Sequence, residues 1–247
     1  MRDIRIFVPD LQAHTDDRTV ALPEQASAHV SRVLRMRAGD ALTVFDGSGG
    51  EYSAEIANIA KKEVTLRLGA HSSTERESPL AVTLIQGLAR GDKMDYIVQK
   101  ATELGVARII PVATMRGIVQ LDEDRGDRKW QHWRAVAAAA CEQCGRNRLP
   151  QIEPPCSLEQ LWQTNTLPSL RLLLSPHAQT GIASALIPRP TELAILIGPE
   201  GGLDPEEESR AVAAGFRQVT LGPRVLRTET AGLAVLAAVQ SLAVDLQ

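Results

Sequence analysis

Two short segments towards the end of the chain combine glycine, proline and charged residues in a pattern typical of ligand-binding loops. The first, Gly198-Pro199-Glu200-Gly201-Gly202, follows the apolar run "LAILI" and precedes an acidic segment that resembles the first turn of a helix. The second lies in "LGPRVLRTET", from Leu221 to Thr230, and again joins a predicted strand to the start of a predicted helix. Glycine permits positive φ and lets a ligand approach the bare backbone. Both segments are therefore candidates for one binding site.

The spacing of the glycines excludes the two common phosphate-binding loops. A Walker loop requires a Gly-Lys pair, which the chain lacks. The dinucleotide fingerprint G-x-G-x-x-G matches neither segment, and Glu200 would be an unfavourable neighbour for a phosphate. We therefore expect a ligand without phosphates that carries a purine and a cationic centre, with Leu221, Val225 and Leu226 as apolar walls. On spacing alone, the alternative that both segments are tight structural turns stays open.

The elements that position these loops follow from the apolar pattern. The runs "LAVTLIQGLA", "VARIIPVAT", "SLRLLLS", "ELAILIG" and "FRQVTLG" are strand-like, and they alternate with helical segments. This alternation predicts an α/β fold with a parallel sheet that is covered on both faces. In such a sheet, ligands lie beyond the carboxyl ends of the strands, which is where both glycine segments fall.

Helix limits can be predicted in the segment "GDKMDYIVQKATELG". Asp92 is a plausible N-cap and Gly105 a plausible C-terminal stop. Between them, apolar residues recur at helical spacing, namely Met94, Ile97, Val98, Ala101 and Leu104. A long helix is expected from about Asp127 to Cys144, and "TETAGLAVLAAVQSLAV" is expected to form the last helix. Because the last helix is apolar nearly all round, it is expected to be buried on several sides.

The first seventy or so residues have a different character. Short strand-like runs, "RIFV", "ALTVFDG", "EYSAEIANIA" and "KEVTLRLGA", surround one predicted helix, "PEQASAHVSRVLRM". This pattern predicts a small β-barrel. The polar segment "HSSTERESP", residues 71–79, is a candidate linker. We therefore predict two domains, with residues 1–72 in the first and residues 73–247 in the second.

Composition narrows the class of protein. The net charge is −3, with 27 basic and 30 acidic residues, so any RNA-binding face must be a local patch. A signal peptide and an apolar run of membrane-spanning length are both absent from the sequence, which predicts a cytoplasmic protein without a membrane segment. Cys141, Cys144 and Cys156 cannot complete a disulfide framework. The pair in "CEQC" lacks further zinc ligands, so ordinary thiols and no metal are expected.

The two glycine segments also carry a resemblance. "LIGPEGGL" followed by "LGPRVLRTETA" is similar to the paired signature of the SPOUT methyltransferases of the RsmE type, which methylate N3 of a uridine in 16S ribosomal RNA. The resemblance extends to "ARGDKMDYIVQKATELGVARIIPV", "EQCGRNRLP" and "HVSRVLRMRAGD", and so covers essentially the whole chain. It implies a PUA-like N-terminal barrel, a C-terminal parallel sheet tied in a trefoil knot, a homodimer, and S-adenosylmethionine as cofactor.

The resemblance also implies roles for individual residues. The cofactor is expected on three loops, formed by Leu174, Ser175, Ile197, Gly198, Pro199, Glu200, Gly201, Gly202, Leu221, Gly222, Val225 and Leu226. For Leu221 and Leu226, packing in the core is an equal alternative. RNA contact is expected from Arg5, Arg32, Arg35, Arg37, Arg90 and Lys93. Arg32 and Arg35 are three residues apart, so they would share a helix face. Arginines on one face are also commonly just solvated charge.

Methyl transfer to a uracil nitrogen requires loss of its proton and alignment of nitrogen, methyl and sulfur. An arginine could stabilise the negative charge on uridine, and a glutamate could accept the proton. The candidates are Arg116, Glu142, Arg146, Arg227 and Glu229. Glu142 and Glu229 could instead be surface charges of helices, and the sequence does not identify the base.

Two other functions are compatible with parts of the pattern. One is a non-enzymatic RNA-binding factor for assembly of the small ribosomal subunit, in which the cofactor site has been lost. The intact "GPEGG" and "LGPRVLRTETA" segments argue against this. The other is a nucleotide- or NAD-dependent enzyme, which the missing phosphate loops disfavour.

Overall fold

The computed structural model describes residues 4–11, 18–61, 63–117, 123–164 and 166–243. The chain divides into two compact units. Unit 1 comprises Met1–Glu77 and Ala138–Leu149, and unit 2 comprises Ser78–Ala137 and Pro150–Gln247. This division differs from the predicted one between residues 72 and 73, because unit 1 includes a segment from the middle of the chain.

Hydrogen bonds within unit 1 explain why the later segment belongs to it. Asn147 Nδ2 donates to the backbone oxygen of Thr74 at 2.6 Å. The Arg146 guanidinium donates to both carboxylate oxygens of Glu77, at 3.0 and 2.5 Å. These contacts fix much of the polar segment that the sequence suggested as a linker.

Unit 1 is built around a β-sheet. Its strands are β1 (Arg5–Phe7), β2 (Thr19–Ala21), β3 (Ala41–Phe45), β4 (Glu51–Ile59) and β5 (Val64–Ser72), and they lie in the order β1-β3-β4-β5-β2. β1 pairs with β3 in parallel, and the other pairings are antiparallel. Alternate residues such as Ile56 and Leu66 point into one apolar core. β1, β3, β4 and β5 were predicted from the sequence, whereas β2 was not, and closure into a barrel stays a prediction.

The predicted helix over residues 23–36 is shorter and less regular than expected. It consists of α1 (Glu24–Ala28) followed by a π-helical turn, His29–Val33. Arg35 has a φ of 54°, in the left-handed region, so the helix has already ended there. The prediction that Arg32 and Arg35 share one helix face is therefore wrong.

Unit 2 contains a parallel sheet with helices on both faces. Its strands are β6 (Ala81–Gly87), β7 (Arg108–Ala113), β8 (Gln151–Ile152), β9 (Cys156–Ser157), β10 (Arg171–Leu174), β11 (Glu192–Ile197) and β12 (Phe216–Val219). They lie in the order β12-β10-β11-β6-β7-β8, with β9 paired to β7, and each pairing is parallel. The predicted parallel α/β architecture is confirmed.

Neighbouring residues of the central strands serve two different cores. Leu84 and Ile195 pack with Val235 in one apolar cluster, whereas Ile85 and Leu196 belong to a second cluster on the opposite face. Side chains alternate across a strand, so a strand buried on both faces is apolar throughout. This explains the continuous apolar runs in the sequence.

The helices are α2 (Lys93–Glu103), α3 (Glu123–Cys144), α4 (Leu158–Thr164), α5 (Ile182–Ala185), α6 (Pro205–Ala213) and α7 (Thr228–Ala243). The predicted limits of α2 are confirmed. Asp92 occupies the N-cap position, although its side chain makes no capping hydrogen bond, and Gly105 has a φ of 78° just after the helix. Among the helices of the described residues, none combines the length and apolar character that a membrane span requires.

The order of the strands brings three loops together. β10 lies between β11 and β12, and all three strands run in the same direction. Their carboxyl ends therefore meet at one edge of the sheet. The chain also changes direction across the sheet at β10, because β11 lies on one side of it and β12 on the other. Such a switch point is where open parallel sheets bind ligands.

Candidate active site

A cavity of about 470 Å³ lies at the carboxyl edge of β10, β11 and β12. This volume falls in the range of pockets for small ligands and cofactors. Its walls are mostly aliphatic side chains and loop backbone. The lining residues are Lys93, Leu173, Leu174, Ser175, Pro176, Ile197, Gly198, Pro199, Glu200, Gly202, Leu203, Glu208, Thr220, Leu221, Arg224, Val225, Leu226, Arg227, Thr228 and Ala231.

The structure brings most of the predicted cofactor residues to this cavity. Those that line it are Leu174, Ser175, Ile197, Gly198, Pro199, Glu200, Gly202, Leu221, Val225 and Leu226. Gly201 and Gly222 do not. A Cβ on Gly201 would lie 3.2 Å from the Cβ and the backbone oxygen of Arg116, so this glycine permits a close approach between two loops. Gly222 has a φ of 91° and open space at its Cβ position, so it serves the turn itself.

The loop after β11 is held by hydrogen bonds at both of its ends. Gly202 N–H donates to the Pro199 oxygen at 2.9 Å, which closes a tight turn. Asp204 then caps α6: its side chain accepts from Glu206 N–H, and its own N–H donates to Glu207 at 2.9 Å. This capping box fixes where the helix starts. The predicted acidic helix start is confirmed.

The loop after β12 leads directly into α7. Thr220 Oγ1 donates to the Gly222 oxygen at 3.1 Å, inside the loop. Thr228, the first residue of α7, donates its hydroxyl proton to the Gly198 oxygen at 2.6 Å. The loops after β11 and β12 are therefore joined directly, as the pairing of the two sequence segments suggested.

Lys93 is tied to two carboxylates at the cavity. Its Nζ lies 2.9 Å from Glu200 Oε1 and 3.3 Å from Glu229 Oε2. The hydrogen bond to Glu200 raises the pKa of Lys93 above its ordinary value. Burial raises the pKa of Glu200, but the hydrogen bond from Lys93 and those from backbone N–H groups outweigh it, and the pKa lies below its ordinary value. Both groups are therefore charged at neutral pH.

This geometry argues against RNA contact by Lys93, because its ammonium group is engaged by the loop after β11 and by α7. The backbone N–H of Arg90 also donates to Glu200 Oε1, at 3.1 Å. The side chain of Arg90 itself is on the surface, since the residue is exposed.

The predicted catalytic residues fall into two groups. Arg227 lines the cavity, and Glu229 is beside it in the ion pair with Lys93. Arg116 lies against the Gly201 loop and pairs with Asp204, with Nη2 to Oδ2 at 3.4 Å. These three belong to unit 2, whereas Glu142 and Arg146 belong to unit 1 and do not line the cavity.

Glu142 and Arg146 have partners inside unit 1. Glu142 Oε1 accepts a hydrogen bond from Phe7 N–H at 2.8 Å, which attaches α3 to β1, and burial raises the pKa of this carboxyl. Arg146 is buried and forms the bidentate pair with Glu77. These contacts hold the last turn of α3 and the following loop in unit 1.

Arg5 is also part of this buried network, although the resemblance implied RNA contact. Its Nη1 lies 2.6 Å from Glu51 Oε2, its Nη2 donates to Asn147 Oδ1, and the side chain is only 7% exposed. Burial raises the pKa of Glu51, but hydrogen bonds from Arg5 and Asn147 lower it overall. A guanidinium held in this way has little surface left for a phosphate.

The remaining predicted RNA contacts are on the surface. Arg32, Arg35 and Arg37 are exposed, and they lie along the π-helical turn and the loop that follows it. Val33, between the first two, is 67% exposed.

Sequence reasoning did not assign several cavity residues to the cofactor. Arg224 and Thr228 stand inside the quoted motif "LGPRVLRTETA", and Leu173, Pro176, Leu203 and Thr220 flank the predicted loops, so their positions were signals that could have been used. Glu208, in the first turn of α6, and Ala231, in α7, reach the cavity only through the packing of their helices. No local pattern marks them.

The cysteines form no metal site. Cys141 and Cys144 are free thiols near the end of α3, and groups of side chains able to hold a metal ion were found nowhere in the described residues. Burial raises the pKa of Cys141 to about 12, so its thiol is protonated at neutral pH.

Comparisons with known proteins agree with this architecture. The family model of the RNA methyltransferase domain matches residues 76–240, and that of the RNA methyltransferase PUA domain matches residues 22–69. The ribosomal RNA small subunit methyltransferase E of Bacillus subtilis is 32% identical over 228 residues, which cover 90% of this chain and 89% of that protein.

Solved structures resemble the whole chain. A structure from Legionella pneumophila, in complex with the bound cofactor SAM, has a TM-score of 0.91 and 36% identity, with 98% of each chain covered. The ribosomal RNA small subunit methyltransferase E of Neisseria gonorrhoeae, bound to S-adenosyl methionine, has a TM-score of 0.86 and 35% identity, again with 98% of each chain covered. The chain therefore belongs to the RNA methyltransferase family, among the ribosomal RNA small subunit methyltransferases E.

Proposed function

We propose that this protein transfers a methyl group from S-adenosylmethionine to N3 of a uridine in the 16S ribosomal RNA of the small subunit, in the cytoplasm. One observation carries the proposal. The two glycine segments that resemble the RsmE-type signature meet at a single cavity, joined by the Thr228–Gly198 hydrogen bond, in a member of the RNA methyltransferase family.

The residues present fit the methyl donor. Leu174, Ile197, Leu221 and Leu226 supply aliphatic walls suited to a flat purine ring. Charged side chains of both signs also line the cavity, namely Glu200 and Glu208 with Lys93, Arg224 and Arg227, and they suit a ligand that carries charges of both signs. The cavity walls include several glycines and prolines, so that backbone groups as well as side chains face the ligand.

S-adenosylmethionine supplies the sulfonium methyl group when bound. The loops of this chain exclude water and fix the orientation in which uracil N3 approaches. Among the catalytic candidates, Arg227 has its place on the cavity wall, and we assign it the stabilisation of negative charge on the uracil oxygens. Glu229 is held by Lys93, so we assign it to support of the site.

For recognition of RNA, we propose the exposed arginines of unit 1, Arg32, Arg35 and Arg37, together with Arg90 in unit 2. The match of unit 1 residues to the PUA domain of RNA methyltransferases supports this assignment. Because the net charge is −3, non-specific attraction to RNA is weak. We therefore expect tighter binding to the folded ribosomal target than to naked 16S RNA.

We also propose the trefoil knot and the homodimer that the resemblance implies. The knot rests on the resemblance of "LIGPEGGL" and "LGPRVLRTETA" to the family signature. The dimer is supported by α7, in which Leu242 is 43% exposed while the face towards the sheet is buried.

The test of the activity is an analysis of 16S RNA nucleosides by mass spectrometry in cells with and without the gene. We expect 3-methyluridine to be lost from 16S RNA in the deletion strain and restored by the wild-type gene, but not by a variant that carries Arg227→Ala. An identical 3-methyluridine content in the two strains would overturn the substrate assignment. Small subunits from the deletion strain should also accept labelled methyl groups from S-adenosylmethionine in vitro.

A further inference from the structure

A short chain of hydrogen bonds lies at the junction of β6, β11 and α7. Gln86 Nε2 donates to Thr228 Oγ1 at 2.9 Å, and Thr228 Oγ1 donates to the Gly198 oxygen at 2.6 Å. Both side chains are buried, with Gln86 0% and Thr228 5% exposed. Gly198 and Thr228 line the cavity, whereas Gln86 does not.

The direction of this chain is fixed by its chemistry. A hydroxyl has a single proton, and that of Thr228 is used on the Gly198 oxygen, so Thr228 can only accept from Gln86. The second proton of the Gln86 amide goes to the Gly87 oxygen at 3.0 Å. An inverted amide would place its oxygen against two other oxygens.

The amide oxygen of Gln86 shows that this orientation has a cost. Gln86 Oε1 is buried and has no hydrogen-bond partner among the described residues. Buried polar groups are paired in the great majority of proteins, and an unpaired one is destabilising.

The chain of hydrogen bonds reaches the cavity at the Gly198 carbonyl oxygen. Pro199 has no N–H, so the peptide between residues 198 and 199 offers only its carbonyl for hydrogen bonding. The Thr228 hydroxyl therefore sets the orientation of this peptide and the direction in which the loop leaves β11.

The other side of the loop rests directly on β6. A Cβ on Gly87 would lie 2.5 Å from Pro199 N and 2.9 Å from the carbonyl carbon of Gly198. Because Gly87 has no side chain, the Gly198–Gly202 loop packs directly against β6. The hydrogen bond from Thr228 to the Gly198 carbonyl fixes the loop in this position.

We infer that Gln86 and Thr228 are positioning residues, which hold the Gly198–Gly202 loop in the conformation that binds the methyl donor. The inference rests on the proposed function, since it takes S-adenosylmethionine as the ligand of the cavity. Gln86 acts through Thr228, and Thr228 acts through the Gly198 carbonyl.

The first test is Thr228→Val, which removes the hydroxyl and keeps the shape of the side chain. The substitution leaves the Gly198 oxygen and a Gln86 proton unpaired, so we expect the Kd for S-adenosylmethionine, measured by calorimetry, to rise about tenfold. The KM for this cofactor should rise with it, while the KM for the small subunit stays unchanged. Thr228→Ser keeps the hydroxyl and should retain most of the affinity.

Thr102→Val is the matched control. Thr102 is fully buried in α2, and its hydroxyl donates to the Val98 oxygen at 2.8 Å, away from the cavity residues. Thr102→Val should lower the Tm by about as much as Thr228→Val does, and it should leave the affinity for S-adenosylmethionine unchanged. Gln86→Met removes the first donor of the hydrogen-bond chain and leaves Thr228 in place. For this variant we expect a smaller loss of affinity for S-adenosylmethionine, about two- to fivefold.

The outcomes separate the inference from the proposed function. If the wild type, Thr228→Val and Gln86→Met bind S-adenosylmethionine with equal affinity, the positioning role is overturned and the proposed function stands. An equal loss in Thr228→Ser, or in Thr102→Val, would also overturn it, because the effect would then follow shape or general stability. Absence of cofactor binding by the wild type would overturn the proposed function and the inference with it.

Discussion

At the scale of single residues, the ion pairs of Lys93 favour a role in supporting the cavity over a role in RNA contact. The resemblance implies RNA contact by Lys93, but its Nζ lies between Glu200 and Glu229. Its hydrogen-bonding capacity is directed at the loop after β11 and at α7. The charge therefore supports the cavity, and the expected RNA contact is assigned to neighbouring arginines instead.

Lys93→Met is expected to weaken binding of S-adenosylmethionine by about two- to fivefold, because partly exposed ion pairs contribute modestly. Binding of RNA should be unchanged. Arg90→Met is the matched comparison, since the Arg90 side chain is exposed and its backbone N–H, which contacts Glu200, is retained. That variant should weaken RNA binding and keep the cofactor affinity. Calorimetry and filter binding measure the two affinities, and the reverse pattern would return Lys93 to the RNA contacts.

For Cys141, burial determines the reactivity of the thiol. Because burial raises its pKa to about 12, the thiolate that reacts with disulfide reagents is scarce at pH 8. We expect Cys141 to stay unmodified by such a reagent in the folded protein and to react once the chain is unfolded. Mass spectrometry after labelling measures this, with Cys141→Ser as the control. Rapid labelling of Cys141 in the native protein at pH 8 would contradict the assigned burial.

Sequence reasoning at this scale was strongest for residues in the loops. Leu174, Ile197 and Leu226 were predicted for the cavity and line it, because the resemblance marked the three loops that carry them. Arg5 and Arg146 could not be predicted in this way. Their roles depend on Glu51 and Glu77, which are distant in sequence and become partners only in the folded unit.

At the scale of elements, the position of the cavity follows from three strand ends and the first turn of α7. The loop after β11 is fixed by the capping box of α6, by Thr228 and by its contact with Gly87. Strands and helices hold these groups, so the cavity is formed by rigid neighbours and not by one flexible loop.

Gly87→Ala tests the seating of this loop on β6. A Cβ at 2.5 Å from Pro199 N cannot be accommodated without moving backbone, so we expect at least a tenfold loss of cofactor affinity and a lower Tm. Gly126→Ala is the control, because a Cβ there meets nothing within 4 Å and α3 favours alanine. Its Tm should be equal or higher and its affinity unchanged. A Gly87→Ala protein with wild-type affinity would show that the loop does not depend on this contact.

The sequence predicted the elements of unit 2 well, since continuous apolar strands and the helical spacing in α2 are local signals. It did not predict the π-helical turn His29–Val33. The apolar pattern there continues as in a helix, while the backbone leaves the helix before Arg35. Because the helix ends early, Val33 and Leu34 are exposed although they continue the apolar pattern.

At the scale of the whole molecule, the division into units follows contacts and not chain order. The segment Ala138–Leu149 belongs to unit 1 although it follows a stretch of unit 2. Composition marked a single boundary, the polar segment, so it could not assign a later segment of the chain to unit 1. The buried pair of Arg146 and Glu77 shows why that segment is part of a unit instead.

The proposed dimer makes a prediction at this scale. We expect sedimentation or light scattering at micromolar concentration to give a particle of twice 26.7 kDa. The physical reason is the apolar composition of α7, whose exposed Leu242 would be covered by a second copy. Leu242→Glu should shift the distribution towards the monomer, and Val212→Glu, at an exposed position of α6, is the comparison. Particles of 26.7 kDa alone would remove the dimer.

A crystal structure of the protein with S-adenosylmethionine would test the position of the cofactor site directly. We predict density for the cofactor in the cavity at the carboxyl edge of β10, β11 and β12, between the Gly198–Gly202 loop and the segment from Leu221 to Leu226. Density for the compound at another place on the protein, with this cavity left to solvent, would contradict the account.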